Sequence, residues 1–242
     1  DGSQAQIKPP AELDNFRNTS GKQRTIRANR RIGSNEGTDS GSGISRPSNP
    51  YRSQVSEADG GNGLLSFTSD EATQRKYQSA GLNLPTINQV DSQSGASLYN
   101  ADMTSAMADH SLGAQVEIKS AEDLASSNLF RTESGSGFAV KPDGDIVAVF
   151  ASPDEAKGSG YSILQAAVQA GGKKLDAFDT YLPKIYETVG FRPVARLPWN
   201  DEFAPPSWDK QAFLEYNNGE PDVVFFVHDS EYFGGAADVP VA

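Results

Sequence analysis

The chain has 242 residues, of which 36% are hydrophobic, and a formal net charge of −11. The absence of cysteine excludes disulfides, zinc-thiolate sites and a cysteine nucleophile. The negative charge disfavours nonspecific binding of nucleic acid by the whole chain. Because no apolar run approaches the roughly 20 residues of a transmembrane helix, we expect no membrane span.

Residues 1–95 are predicted to form a long, extended, low-complexity arm, because they are rich in Ser, Gly, Asn, Gln and Pro without a hydrophobic period. Gly33–Gly43 and Glu57–Gly63 resemble flexible linkers. The six basic residues between Arg17 and Arg31 have no acidic residue among them. This basic run is either part of a solvated linker or a contact with an acidic protein surface or nucleic acid. Partners are expected to order such an arm, which favours a component of a larger assembly.

Residues 96–242 are predicted to form one folded domain. The elements predicted in its first half are a helix at Ser97–His110 with apolar spacing through Leu98, a strand at Ala114–Ile118, a helix capped by Ser120 and a strand at Leu129–Thr132. Gly137–Phe150 then predicts two strands joined by the turn Pro142-Asp143-Gly144, which is a strong hairpin signal.

The second half of the domain alternates between helices and strands. Its predicted elements are a helix at Gly158–Ala170, a strand at Lys174–Phe178, a helix at Tyr181–Val189, and strands at Phe191–Leu197 and Asp222–Val227. This order predicts an α/β fold with a mixed central sheet flanked by helices.

The triplet Gly158-Ser159-Gly160 lies between a predicted strand and a predicted helix. A glycine turn that opens a helix presents backbone N–H groups at the positive end of the helix dipole, which suits a phosphate. The same triplet at residues 41–43 and 135–137 is not followed by a helical pattern. Residues 158–160 are therefore the predicted phosphate-binding turn, with Tyr186 one helix later.

Glu155–Gly160 (EAKGSG) resembles the pyrophosphate loop of the GCN5-related N-acetyltransferase (GNAT) family, Gln/Arg-x-x-Gly-x-Gly/Ala, and the wider resemblance covers roughly residues 115–229. Both glycines match, but Glu155 is acidic where the family has Gln or Arg. The resemblance implies that acetyl-CoA binds where a central strand splays from its neighbour. The cofactor-binding residues implied are Val147, Val149 and Phe150 on the strand, and Lys157, Gly158, Ser159 and Gly160 on the loop.

Asp179–Phe191 (DTYLPKIYETVGF) resembles a second signature of the family, Asn-x-x-Ala-x-x-Leu-Tyr-x-x-x-Gly-Phe. The Tyr and the Gly-Phe match, whereas Asp179 replaces Asn and Leu182 replaces Ala. The resemblance implies that Tyr186 is catalytic, as the general acid that protonates the departing CoA thiolate. The alternative is an amphipathic core tyrosine on a helix that faces the sheet.

Three longer segments have a narrower resemblance, to the GNAT-like domain of bacteriophage virion-associated and polyvalent proteins. They are Gly137–Phe150, Leu175–Pro205 and Glu220–Asp229. This resemblance implies a virion protein (internal, ejected or head–tail) that uses the domain as a folded module and contacts other virion proteins through residues 1–95. It would be located in the virion and, after delivery, in the host cytoplasm. The alternative is an active acetyl-CoA-dependent N-acetyltransferase acting on an amine of a host or phage target. If the loop is degenerate, the domain would bind no cofactor.

Other candidate residues have weaker sequence support. Asp145 and Asp201 are candidates for the base that deprotonates an acceptor amine. His110 and His228 are far apart and lack metal-ligand spacing, so no metal site is predicted. The aromatic loop around Trp208 would either cover an acceptor pocket or form a satellite core.

Overall fold

The computed structural model describes residues 49–51, 55–57, 63–108, 110 and 112–232. One unit of the chain comprises Asn49–Ala242, so the folded part begins well before the boundary expected after residue 95. The first part of the predicted arm, residues 1–48, lies outside the described residues, and so does the basic run Arg17–Arg31. Every helix in the described ranges is too short or too polar to cross a bilayer.

Six antiparallel strands form the first sheet, and their order in the sheet is their order in the chain. These strands are β1 (Val55–Glu57), β2 (Leu65–Phe67), β3 (Ile87–Val90), β4 (Asn128–Thr132), β5 (Gly137–Val140) and β6 (Ile146–Phe150). Between β5 and β6, Lys141 N donates to Asp145 O at 2.9 Å, and Gly144 adopts φ 83°. The hairpin predicted from the Pro-Asp-Gly turn is confirmed.

Three antiparallel strands form the second sheet, in the order β7-β9-β8. They are β7 (Lys174–Phe178), β8 (Phe191–Leu197) and β9 (Val223–His228). Among the described residues, the strand pairing that joins the two sheets is one parallel bridge between Asp145 and Lys174. The expected mixed sheet is therefore two antiparallel sheets, because β6 and β7 pair only where they begin.

Helices cover both faces of the first sheet. They are α1 (Glu71–Ser79), α2 (Ser92–Ala108), α3 (Ala121–Leu124), α4 (Ser159–Gln169) and α5 (Leu182–Thr188). Along β5, Phe138 and Val140 belong to the core cluster shared with α4 and α5, whereas Ala139 belongs to the cluster shared with α2 and α3. The alternation of side chains along a strand thus supplies both cores.

The segment between residues 49 and 95 is part of the core and not an extended arm over its whole length. Tyr51 and Phe67 have no exposed surface, and their rings meet edge-on with centroids 6.4 Å apart. Leu84 and Ile87 belong to the same cluster. These apolar residues are isolated in a polar sequence without a period, which is why composition alone assigned them to the arm.

Helix α2 begins at Ser92, five residues before the predicted start at Ser97. Asp91 caps its first turn, because the Asp91 carboxylate accepts a hydrogen bond from the backbone N–H of residue 94 at 2.9 Å. The predicted apolar face is also displaced. Leu98 is 53% exposed, whereas the neighbouring Tyr99 is completely buried.

Candidate functional site

Strands β6 and β7 meet at one bridge and then pair with different neighbours, and we call the region between them the β6–β7 wedge. At its narrow end, Lys173 N donates to Gly144 O at 2.7 Å, next to the bridge between Asp145 and Lys174. Beyond this point β6 pairs with β5, and β7 pairs with β9. Within the described chain, the β6 edge that faces β7 has no strand neighbour. Such an edge can pair with an extended ligand or peptide.

A β-bulge interrupts β6 at Ala148, which has the positive φ of 50°, and the register of the β5–β6 pairing shifts between Gly137 and Ala139. The hydroxyl of Tyr99 donates to the Ala148 carbonyl at 2.8 Å. Because burial raises the pKa of Tyr99 well above its usual value, this phenol stays protonated and remains a donor. Helix α2 thereby holds the bulged carbonyl in place.

The three β6 residues implied in cofactor binding differ in exposure. Val147 and Val149 are half-buried and pack against opposite core clusters. Phe150 is 4% exposed, and its ring meets Tyr99 edge-on at 5.3 Å. The Phe150 side chain is thus part of the core, and β6 offers a ligand chiefly its backbone and the half-buried valines.

Gly158 precedes α4 and adopts the left-handed conformation, with φ 84°. The space beside it is filled by the chain itself. A Cβ at this position would lie 2.5 Å from the Gly81 carbonyl oxygen and 2.9 Å from Leu82 Cα. Gly158 therefore has two structural reasons to be glycine, its positive φ and the close approach of the Gly81–Leu82 backbone.

The other three loop residues implied in cofactor binding have different environments. Ser159 is buried and Lys157 is exposed. Around Gly160, no described atom beyond its chain neighbours and its own helix backbone lies within 4 Å of the position of a Cβ. The open side of the turn is therefore at Gly160, two residues after the position where the chain packs against itself.

Glu155, the acidic departure from the family pattern, is held by hydrogen bonds within the chain. The Thr132 hydroxyl donates to its Oε2 at 2.7 Å. The Asn83 side-chain amide donates to Oε1 at 3.5 Å, and the Ala156 N–H does so at 3.3 Å. The carboxylate thus joins the loop to β4 and to the segment after α1.

Tyr186 is 6% exposed and lies in the main core cluster. Its ring meets Phe226 edge-on at 5.7 Å and Phe191 at 6.4 Å. Burial, followed by the charges of Tyr181 and Asp176, raises the pKa of Tyr186 well above its usual value. The phenol is therefore protonated at neutral pH, so it is not a base, and the raised pKa makes it a weaker proton donor than an exposed tyrosine.

Gln115 is a polar residue whose role the sequence did not reveal. The predicted strand Ala114–Ile118 is wrong, since residues 113–115 form a 3-10 turn. Thr180 Oγ1 donates to Gln115 Oε1 at 3.0 Å, and Gln115 Nε2 donates to the Tyr181 hydroxyl at 3.2 Å. These bonds attach the connection between α2 and α3 to the corner before α5. No local pattern could have indicated partners 65 residues away.

Neither predicted base is free. Asp145 is 4% exposed and pairs with Lys141 at 2.9 Å. Asp201 pairs with Lys210 at 2.6 Å, and hydrogen bonds from Lys210 and Trp199 lower the pKa of Asp201 below its usual value, which makes it a weaker base. Among the described residues, no three His, Asp or Glu side chains are grouped as metal ligands.

The aromatic loop stacks on itself and on the end of β7. The Trp208 and Phe213 rings are parallel, with centroids 3.8 Å apart, and Phe178 lies 4.6 Å from Trp208. Trp208 Nε1 donates to the Gly219 carbonyl at 2.9 Å. Because Phe213 is 1% exposed, these rings form a satellite core of their own.

Comparisons with known proteins found no relative of this chain. No protein-family model, curated protein or solved structure matches the chain.

Proposed function

We propose that the chain is a bacteriophage virion-associated protein in which the unit Asn49–Ala242 contains a GNAT-like domain that serves as a folded module. The family likeness is supported by the two sequence motifs and by β6 and β7, which separate after one bridge. Family members hold acetyl-CoA at such a divergence. The phage assignment is supported by the three longer segments of resemblance.

The observation that favours a module over an enzyme is the packing around Gly158. The Gly81–Leu82 backbone fills the space beside this glycine, which belongs to the loop that holds pyrophosphate in the family motif. Glu155 adds a negative charge to the same loop and hydrogen-bonds within the chain. The motif glycine is therefore explained by internal packing alone, without a cofactor.

A calorimetric titration of the full chain with acetyl-CoA tests this proposal. A folded module with this closed packing is expected to show no binding in the micromolar range. Micromolar binding with one-to-one stoichiometry would contradict it.

The place in a particle needs its own experiment, because residues 1–48 of the predicted arm are the proposed contact with other virion proteins. Limited proteolysis should cut residues 1–48 in the free chain and spare them in assembled particles. The basic run Arg17–Arg31 is the proposed contact with an acidic protein surface or nucleic acid, and contact with nucleic acid would weaken steeply with salt. Equal cleavage in both settings would count against a virion role.

The second candidate is an acetyl-CoA-dependent N-acetyltransferase, and the unpaired edge of β6 favours it. In this reaction an amine attacks the thioester carbonyl, the C–S bond breaks, and Tyr186 gives its proton to the sulfur. The amine releases its proton to water. The backbone of β6 between Val147 and Phe150 would pair with the pantetheine amide.

Replacing Tyr186 with Phe tests the second candidate while retaining the ring that packs against Phe191 and Phe226. If the enzyme is active, turnover should fall about 100-fold or more because a general acid is lost, with little change in acetyl-CoA affinity. Unchanged turnover would remove Tyr186 from the mechanism. Unfolding of both proteins in urea is the control for stability.

A further inference from the structure

The aromatic loop connects β8 to β9, and its own side chains fix its interior. The Trp208 ring stacks on Phe213 with centroids 3.8 Å apart. Lys210 joins the two ends of the loop, because its Nζ pairs with Asp201 at 2.6 Å and with Glu220 at 2.7 Å. A surface that is preorganised in this way loses little conformational entropy when a partner binds to it.

The outer surface of the loop is acidic and carries an exposed apolar side chain. Residues 198–222 contain six acidic residues and one basic residue. Glu202, Asp209 and Glu215 are exposed and have no ion-pair partner within the described part of the chain. Leu214 is 51% exposed, although the phenylalanine before it is buried in the satellite core. The loop thus presents negative charge around a leucine that lacks cover in the described structure.

The sequence contains a segment of the opposite character, the basic run Arg17–Arg31. Its six basic residues have no acidic residue among them, and its one large apolar residue is Ile26, between Arg24 and Arg27. The run therefore offers positive charge around an isoleucine, whereas the loop offers negative charge around Leu214. Complementary charges of this kind favour a specific partner and exclude like-charged ones.

We propose that the aromatic loop of one copy of the chain binds the basic run of a second copy, so that the chain associates with itself head to tail. This inference rests on the proposed function, in which the basic run contacts an acidic protein surface, and deepens it by naming that surface. A head-to-tail contact uses two different surfaces and can continue from copy to copy, which suits a component of a larger assembly.

The salt dependence of self-association distinguishes this contact from other ways in which copies could meet. Each copy has a net charge of −11, so whole copies repel each other at low ionic strength. Association through apolar surfaces alone would strengthen when salt screens this repulsion. A contact between oppositely charged segments weakens instead, because salt screens its attraction. We therefore expect stronger self-association at about 0.05 M salt than at about 0.5 M salt.

Sedimentation equilibrium of the full chain at both salt concentrations measures the association constant. The loop variant neutralises three exposed carboxylates: Glu202→Gln, Asp209→Asn and Glu215→Gln. It should associate about 10-fold or more weakly, because three exposed ion pairs with the second copy are lost. The matched control changes the net charge by the same amount at exposed positions of other elements: Glu122→Gln, Glu133→Gln and Asp154→Asn. The control should associate no more weakly than the wild type, and equal weakening in both variants would contradict the proposed surface.

A mixing experiment separates a contact between copies from one within a single copy. The run variant keeps the acidic loop but neutralises three basic residues: Arg24→Gln, Arg27→Gln and Arg30→Gln. Neither the run variant nor the loop variant should associate alone. An equimolar mixture should form heterodimers, because the run of one variant and the loop of the other are both intact. A mixture that stays monomeric would overturn the proposal. Urea unfolding of each variant is the control for folding.

The outcomes separate this inference from the proposed function. A wild-type chain that stays monomeric at low salt, while particles protect residues 1–48, would overturn the head-to-tail contact and leave the virion role standing. If the monomeric chain binds double-stranded DNA and the run variant does not, the basic run is a nucleic-acid contact and the inference is wrong. Self-association with the expected salt dependence, without protection in particles, would support the inference and count against the virion role.

Discussion

The turn before α4 and the edge of β6 were both predicted to hold the same cofactor, but their surroundings in the structure differ. The turn is packed against the chain's own Gly81–Leu82 backbone. The β6 edge that faces β7 has no strand partner in the described part of the molecule. The chain itself thus fills the space beside Gly158, whereas the β6 edge lacks a strand partner among the described residues.

The difference shows what a glycine motif indicates physically. Gly158 marks a place where another group comes close to the backbone. The motif does not specify whether that group is a second stretch of the same chain or a ligand. A divergent strand pair is less ambiguous, because its unpaired edge needs hydrogen-bond partners from somewhere. The wedge is therefore the stronger argument for binding, and the turn is the stronger argument against it.

The largest expected effect is on stability, at the turn where Gly158 packs against the Gly81–Leu82 backbone. Gly158→Ala should lower the free energy of unfolding by about 2–5 kcal/mol, from left-handed strain of about 1–2 kcal/mol and a backbone clash of about 1–3 kcal/mol. Urea unfolding of the full chain measures it. Gly160→Ala is the matched control, because no described atom beyond its chain neighbours and its own helix backbone lies within 4 Å of its Cβ position. Equal losses in both variants would mean that the turn does not pack as described.

A smaller effect is expected at the wedge. Tyr99→Phe removes the buried hydroxyl that holds the bulged Ala148 carbonyl, which should cost about 1–3 kcal/mol because a buried acceptor loses its partner. Amide exchange along β6 should accelerate together with this loss. Tyr232→Phe removes a less buried hydroxyl bond, to Glu187, and should change stability by no more than about 0.5 kcal/mol. If Tyr99→Phe is as mild as the control, the bulge is held by other contacts.

Local signals in the sequence predicted the elements around the wedge. The β5–β6 hairpin follows from Pro142-Asp143-Gly144, and the helix after Gly158 follows from its apolar period and its glycine stops. These features are determined by neighbours a few residues apart. The α/β class could therefore be predicted, as could most of the elements from residue 120 onwards.

The remainder depended on contacts between distant residues. Gly81 and Gly158 meet across 77 positions, and nothing near either glycine indicates the other. Tyr51 and Phe67 look like isolated apolar residues in a polar arm, and only the completed core shows that both are buried. For this reason the packing of the Gly81–Leu82 backbone against the turn could not be predicted, although the turn itself was predicted.

The smallest expected effect concerns the narrow end of the wedge, where Lys174 pairs with Asp143 at 2.7 Å. Burial acts to raise the pKa of Asp143, but hydrogen bonds from Lys174 and the Asp145 N–H outweigh it and lower the pKa below its usual value. The folded state thus favours the charged carboxylate. Its contribution to stability is fully present above the ordinary aspartate pKa of about 3.9 and is lost as the pH falls through the folded-state value.

Asp143→Asn should therefore lower the free energy of unfolding at pH 7 by no more than about 1 kcal/mol, because Asp143 is 56% exposed and surface pairs are weak. The difference from wild type should shrink toward zero below pH of about 4. Asp154→Asn, on an exposed part of the loop after β6, is the control. Amide exchange at Lys173 and Lys174 reports on the narrow end directly, since both N–H groups donate to Gly144 O. Faster exchange there, with β6 unchanged beyond the bulge, would show that the bridge and the open edge are separate parts of the wedge; a uniform change would show that the ion pair sets the divergence of the two strands.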